Sequence, residues 1–522
     1  MKEITFLSML FLCLFSCSLA QKTDTSSFSQ VQIMDFYQQL IHEIELVDAE
    51  AIATRNMSKK VSWEEYKKHH EAKFKSIKTD QDFKQKFNAF ARGFVNGHSR
   101  FEFLYPVQEE EKGHQKSSIK IGYTFPEMSF FDLASKKTIT HINDQPIAAV
   151  FEHFDNYESA ASTTVRSQLY FKIYFEAGRL FIDGQLAKNI RFEDGSKIEV
   201  SYEMVEKVDR SYYEGIQMEK YYPDWKRMAV GYKVALLQKE NVALIKIKNF
   251  IYPNRASNDL RCEEENPQDS TQCADVQLLR KALKAIDKEV DYLIFDLQNN
   301  GGGNENSYFL AELCPKPFTD IPVSYRKTHF FENDELRSYL FFNPDKAERW
   351  FQEIKQSGAY ESTKMGDFLP TRADFCRGAE NCALALIAPN DPDAYHFKRY
   401  YILVNEATAS SSDDFTYRMK QFADAKVVGQ TQAADLTYAT ANILFLIDEK
   451  GKISPMYGYG EVKAEPIAEI TIPHSRSIGQ DGKMLQGNPL KLDIEVKLTK
   501  ENFEQREERV LEAAWKDTRE KN

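Results

Sequence analysis

The stretch Tyr292-Leu293-Ile294-Phe295-Asp296-Leu297-Gln298-Asn299-Asn300-Gly301-Gly302-Gly303 decides the architecture of this chain. Its first four residues are a continuous apolar run, the pattern of a strand buried on both faces of a parallel sheet. Three glycines then allow positive φ and close backbone approach to a ligand. A helix is expected to follow over residues 305–313. Exposed N–H groups at such a strand-to-helix turn suit a phosphate or a developing oxyanion. No Gly-Lys-Ser/Thr follows and GxGxxG is not matched, which argues against phosphate. A tight structural turn is the plain alternative.

Working outward, Val242 to Ile247 reads as a strand, and Val276, Leu279, Leu283 and Ile286 form one face of a helix. Tyr400 to Val404 is a second buried run. Alternating helices and buried strands predict an α/β domain. Directly after that run comes Asn405-Glu406-Ala407-Thr408-Ala409-Ser410-Ser411-Ser412-Asp413-Asp414, with Phe415, Met419 and Phe422 spaced for a helix. A serine at a strand-to-helix turn stands at the positive end of the helix dipole, which favours the anionic states of acyl transfer. Ser, Thr and Asp also crowd helix starts simply as N-caps.

Upstream, residues 21 to about 30 are rich in Ser, Thr and Gln and read as a linker. Val31 to Phe94 has helical periodicity, with Phe36, Leu40, Ile44 and Val47 on one face. A loop with Asn96-Gly97-His98-Ser99 ends it. His69 and His70, among Lys67, Lys68 and Glu71, read as a solvated helix face and a poor metal pair. Residues 116 to 205 look different. Lys137 to Ile142 is a β-type run, Asn143-Asp144 a turn, and Ile147, Val150, Phe151 and Phe154 a helix face. Ile198, Val200 and Tyr202 then alternate as in a hairpin strand. A small mixed module, PDZ-like in its order of elements, is the expectation. The C-terminal segment from Glu501 to Lys516 reads as a charged helix.

The N-terminus has Lys2, an apolar run from Ile4 to Phe15, and Ser16-Cys17-Ser18-Leu19-Ala20. This is the layout of a secretory leader, too short to span a bilayer. Cleavage before Gln21 competes with a lipobox reading of Leu14-Phe15-Ser16-Cys17, which would leave Cys17 lipidated as a membrane tether. Export permits disulfides. Cys262 with Cys273, and Cys376 with Cys382, can close small loops, leaving Cys314. The cysteine spacing fits no zinc site. Of 522 residues, 42% are hydrophobic and 28% charged, as in ordinary globular chains. A net charge of -11 argues against a nucleic-acid partner.

Taken together, the glycine turn, the Asn405–Asp414 segment and Val427-Val428-Gly429 resemble the tail-specific, or C-terminal-processing, serine peptidase family. Its pattern is strand-DLxxNGGG, strand-NxxTASxS[ED], then Val-Val-Gly, with Leu492-Asp493-Ile494 a weak match to the end motif. The resemblance covers about 240 to 520. It implies a multidomain α/β protein: leader 1–20, helical region 21–105, PDZ-like module 106–205, and an α/β (ClpP/crotonase-like) catalytic domain 206–522. It implies Ser410 as nucleophile, with the N–H groups of Gly302, Gly303 and Ser411 as oxyanion hole. Many family members take their base from a lysine in Thr-x-Gly-Lys after Val-Val-Gly. Here that stretch is Thr431-Gln432-Ala433-Ala434-Asp435, with no lysine. The tricorn-like branch uses a histidine in a Gly-His-Thr/Ser motif, which Gly97-His98-Ser99 matches. An imidazole titrating near working pH suits a serine hydroxyl. Read alone, His98 is a loop histidine. The glutamate that helps orient the histidine in that branch corresponds to Gln486. Either another carboxylate serves, or the chain is a binding homologue with an impaired site. The implied partner is a peptide or protein substrate at the cell envelope. No metal or cofactor is implied. Oligomeric state is not readable from the sequence.

Overall fold

A computed structural model describes residues 26–520 apart from 108–113, 180, 183–184, 206–223, 231–233, 251–269, 304–309, 311–317, 319–320, 333–343, 372–394, 396, 437–439, 458–463 and 480. The leader-like N-terminus with Cys17, the stretch expected to be helical at 305–313 save Leu310, and Cys262, Cys314, Cys376 and Cys382 lie outside the described residues. Cys273 falls in the helix Ser270–Ile286, but its side chain lies outside them too.

The centre is a seven-stranded sheet whose spatial order follows the chain: Lys226–Val230, Val234–Lys239, Val242–Ile247, Tyr292–Asp296, Arg399–Val404, Lys426–Gly429 and Ile494–Glu495. The first three pair antiparallel and the remainder parallel. Alternate side chains feed two cores. Leu293, Phe295, Ile402 and Val404 face Leu279, Leu283, Phe415 and Met419 of the helices Ser270–Ile286 and Ser411–Ala423. Ile294, Tyr401 and Leu403 face Val510, Leu511 and Ala514 of the C-terminal helix Arg506–Glu520. Both faces are therefore dry, which is why these strands read as unbroken apolar runs. Burying one such Ile, Leu or Phe contributes about 1.5–3 kcal/mol.

Four helices lead into this domain: Gln30–Val47, Ala51–Ser58, Trp63–Lys75 and Asp80–Arg92. Ser29 with Gln32, and Ser62 with Glu65, form capping boxes that fix two of the starts. The helices share an aromatic-rich core with a separate antiparallel sheet in the order Arg100–Phe103, Glu465–Pro473, Thr440–Ile447, Ile453–Tyr457. Phe36 meets Phe445 edge-on at 5.3 Å across that junction. Arg100–Phe103 thus pairs with a strand some 370 positions later, by the register Arg100 with Thr471. This geometry carries the loop before it, residues 96–99, toward the half of the chain that holds the seven-stranded sheet. His70, read as solvated, is fully buried and packs 4.4 Å from Tyr66. The helix turns an aromatic stripe inward there, and burial pulls the imidazole pKa well down.

Between them, Ile139–Ile142, Gln145–Pro146, Asn189–Phe192 and Lys197–Glu199 form a small antiparallel sheet with the helices Ile147–Tyr157 and Thr164–Glu176. The single strand expected around Ile198–Tyr202 is two strands. Lys197–Glu199 is an exposed edge of this sheet, and Tyr202–Val205 pairs with His114–Ser117. Among the described residues, no helix is long and apolar enough to cross a membrane.

Candidate active site

Two parallel strands, Tyr292–Asp296 and Arg399–Val404, end side by side and release two loops that are laced together. Thr408 Oγ1 donates to Leu297 O at 2.9 Å, Asn405 Nδ2 donates to Asn299 Oδ1 at 2.9 Å, and Asn299 N donates to Asn405 Oδ1 at 3.0 Å. Ala409 N donates to Asn300 O at 3.1 Å. The polar residues of both motifs are thus the mortar between the glycine turn and the serine turn.

Ser410 holds φ 57 and ψ -124, a strained conformation for a residue with a side chain. It occupies the N-cap position of the helix Ser411–Ala423, yet its side chain makes no capping hydrogen bond. Its Oγ lies 3.0 Å from Nε2 of His98 instead. The sequence alone left the capping role open; the geometry assigns the hydroxyl to the imidazole. Gly302 explains the glycines. At φ 92 it approaches so closely that a Cβ there would stand 2.6 Å from Ala409 O and 2.6 Å from Ser410 Cβ.

The three expected oxyanion donors are placed differently. Ser411 and Gly303 lie together, since Ser411 Oγ donates to Gly303 O at 2.7 Å. The Gly302 N–H donates to Asn300 Oδ1 at 3.0 Å and is already engaged. The Ser410 N–H is likewise engaged, with Asp435 O at 3.1 Å.

His98 is set by its own motif. Its N–H donates to Asn96 Oδ1 at 2.8 Å, and Asn96, buried, donates through Nδ2 to Glu50 Oε1 at 2.8 Å. The other ring nitrogen faces Asp435: Nδ1 to Oδ1 is 3.5 Å, an electrostatic contact rather than a formed hydrogen bond. Asp435 Oδ1 accepts from Gly97 N at 3.3 Å and from Gln486 Nε2 at 3.0 Å. A Cβ on Gly97 would stand 1.9 Å from Asp435 Oδ2, so a larger residue there would push this carboxylate out of place. Arg166, from the helix Thr164–Glu176, approaches Asp435 Oδ2 to 4.0 Å and donates to Glu406 O at 3.3 Å.

The charges follow from these contacts. Burial disfavours the imidazolium of His98, but the Asp435 carboxylate outweighs it, so its pKa is raised above the ordinary value. Burial also opposes ionisation of Asp435; His98, Arg166 and Gln486 together hold it well below the usual carboxylate range.

Gln486, matched in sequence to the residue that orients the histidine, donates to Asp435 rather than to His98. Its Oε1 accepts from Leu436 N at 2.7 Å. Asp435 is the carboxylate that sequence reasoning passed over. It ends the segment Thr431–Asp435, where a lysine base would stand. Arg166 carried no signal in the sequence. Among the described residues, no group of three or more His, Cys, Asp or Glu is arranged to hold a metal.

A strained serine on a strand-to-helix turn, a histidine at hydrogen-bond distance and a buried carboxylate behind it form an arrangement that suits acyl transfer. Residues 241–482 match the model of peptidase family S41, a match that indicates a serine peptidase. The fold is similar to that of mature CPAF in complex with lactacystin, at 13% identity and TM-score 0.58, covering 92% of this chain and 96% of that one. It is similar to mature CPAF alone at 12% identity and TM-score 0.58, covering 92% and 95%. A looser likeness, TM-score 0.35 at 10% identity over 90% and 93%, is to the photosystem II D1 C-terminal processing protease. No curated protein sequence matches the chain.

Proposed function

We propose that this peptidase hydrolyses peptide bonds of exported or envelope proteins with Ser410 as nucleophile and His98 as general base. The observation that carries the reading is the 3.0 Å contact between Ser410 Oγ and His98 Nε2, made by a serine that forgoes its capping bond. In the first step Oγ bonds to the scissile carbonyl carbon and its proton passes to Nε2. The imidazolium then gives that proton to the leaving amine as the C–N bond breaks. Water, deprotonated by the same imidazole, hydrolyses the acyl-enzyme. Asp435 steadies the imidazolium by charge. The N–H groups of Gly303 and Ser411 are the candidate donors to the oxyanion; removing one such donor typically costs about 3–4 kcal/mol of barrier.

Residues 106–205 are read as a PDZ-like module that holds an extended peptide, near its C-terminus. The leader-like N-terminus supports export, with release before Gln21 or tethering through Cys17. The impaired-site alternative rests on the missing lysine and on Gln486 in place of a carboxylate; His98 at Ser410 and Asp435 beside His98 speak against it.

The test is Ser410→Ala against the wild-type chain, with a fluorophosphonate probe and a panel of unstructured polypeptides. Both labelling and cleavage are expected to vanish. Undiminished labelling or cleavage in the variant overturns the assignment.

A further inference from the structure

Residue 435 is tied to the turn carrying Ser410 by two hydrogen bonds of opposite sense. Its carbonyl accepts from Ser410 N at 3.1 Å, and its own N–H donates to Asp413 Oδ2 at 3.0 Å. Asp413 sits in the first turn of the helix Ser411–Ala423 and is 2% exposed. Its second oxygen, Oδ1, is buried and has no hydrogen-bond partner among the described residues.

Asp413 and Asp435 therefore belong to one buried cluster. The other charged or titratable groups facing it are Arg166, from the helix Thr164–Glu176, and His98, from the loop after Asp80–Arg92. With His98 neutral, as a base must be, two ionised carboxylates would stand against a single guanidinium. A surplus buried charge of that kind is costly, and such a site sheds it by taking up a proton. The donors decide where the proton goes. Asp435 Oδ1 accepts two N–H groups and Oδ2 faces Arg166. Asp413 accepts one N–H, and its other oxygen is left bare.

We propose that Asp413 is a positioning residue that remains protonated in the working enzyme, clamping residue 435 to the serine turn while leaving the cluster's one negative charge on Asp435, against His98. This rests on Ser410 and His98 as the reacting pair. Burial acts in the same direction, pushing the Asp413 carboxyl up to about 8, while Asp435 is held low. A neutral clamp has a purpose here. It fixes the distance between serine turn and carboxylate loop without competing with Asp435 for the imidazolium.

The test uses the full chain with Asp413→Asn and Asp413→Ala. Asparagine keeps an acceptor for the Asp435 N–H and replaces the O–H with an N–H. The infrared difference spectrum of wild type minus Asp413→Asn, near neutral pH, is expected to contain the carbonyl stretch of a protonated carboxylic acid. A carboxylate band in its place overturns the proposal. In fluorophosphonate labelling, Asp413→Asn is expected to stay within about threefold of wild type and Asp413→Ala to fall about 10²-fold, as a misplaced catalytic group does. Equal losses in the two variants, or none in either, also overturn it. Should the alanine variant fail to fold, the infrared band and the asparagine variant still decide. The band does not depend on Ser410 reacting, so a wrong nucleophile, seen as labelling of Ser410→Ala, is told apart from a wrong protonation state of Asp413.

Discussion

Asparagine at position 435 would keep the shape of the site and remove its charge. Asp435 Oδ1 accepts from Gly97 N and Gln486 Nε2, and an asparagine oxygen in that place accepts from both. What is lost is the carboxylate 3.5 Å from His98 Nδ1. A unit pair at that distance, in a medium of effective dielectric about 20, interacts by about 5 kcal/mol. Arg166 competes from 4.0 Å, and the imidazole keeps 28% of its surface exposed. Allowing about half for both leaves roughly 2.5 kcal/mol, or a rate loss of roughly 10²-fold. The pH dependence has a definite sign. His98 serves as base only above its pKa, which Asp435 raises, so the acid limb of the wild-type profile lies above the ordinary imidazole value of about 6.5. Without Asp435, burial dominates and lowers that pKa, so the acid limb of Asp435→Asn moves to lower pH. The assay is the second-order rate of fluorophosphonate labelling across pH. A variant within twofold of wild type, with an unmoved acid limb, would refute the role given to Asp435.

Other outcomes follow from the same contacts. Gly302→Ala sets a Cβ 2.6 Å from Ala409 O at φ 92, and labelling is expected to fall by at least about 10²-fold; near-normal labelling would show that the turn does not need this approach. Tyr123→Phe removes the phenol that donates to buried Glu406, one loop residue after Asn405, and should cost about 1–3 kcal/mol in urea unfolding. Phe36→Ala opens the junction with Phe445 between the helical region and its sheet, for a loss of about 3–5 kcal/mol by the same measurement. A loss under about 1 kcal/mol would mean the two do not share a core.

The buried strands were legible because both faces of the sheet are covered, which makes Tyr292–Phe295 and Tyr400–Val404 unbroken apolar runs. Ser410 and His98 were legible through local motifs, since each is shaped by its neighbours: Asn96 for His98, and the turn for Ser410. Asp435 was not, because its role depends on what wraps it. Gly97, Gln486 and Arg166 come from three distant segments, and no spacing within 431–435 announces them. Arg100–Phe103 posed the same difficulty, its strand partner lying at the far end of the chain. The Gly302 N–H looked available from the glycine run alone; the Asn300 side chain that occupies it is visible only once the turn is closed.

The most direct measurement is to label the wild-type chain with a fluorophosphonate, digest it, and locate the adduct by mass spectrometry, alongside His98→Ala. The adduct is expected on Ser410, with labelling in His98→Ala slowed by roughly 10³-fold or more. An adduct on any other residue, or a His98→Ala chain that labels Ser410 at the wild-type rate, would contradict the assignment.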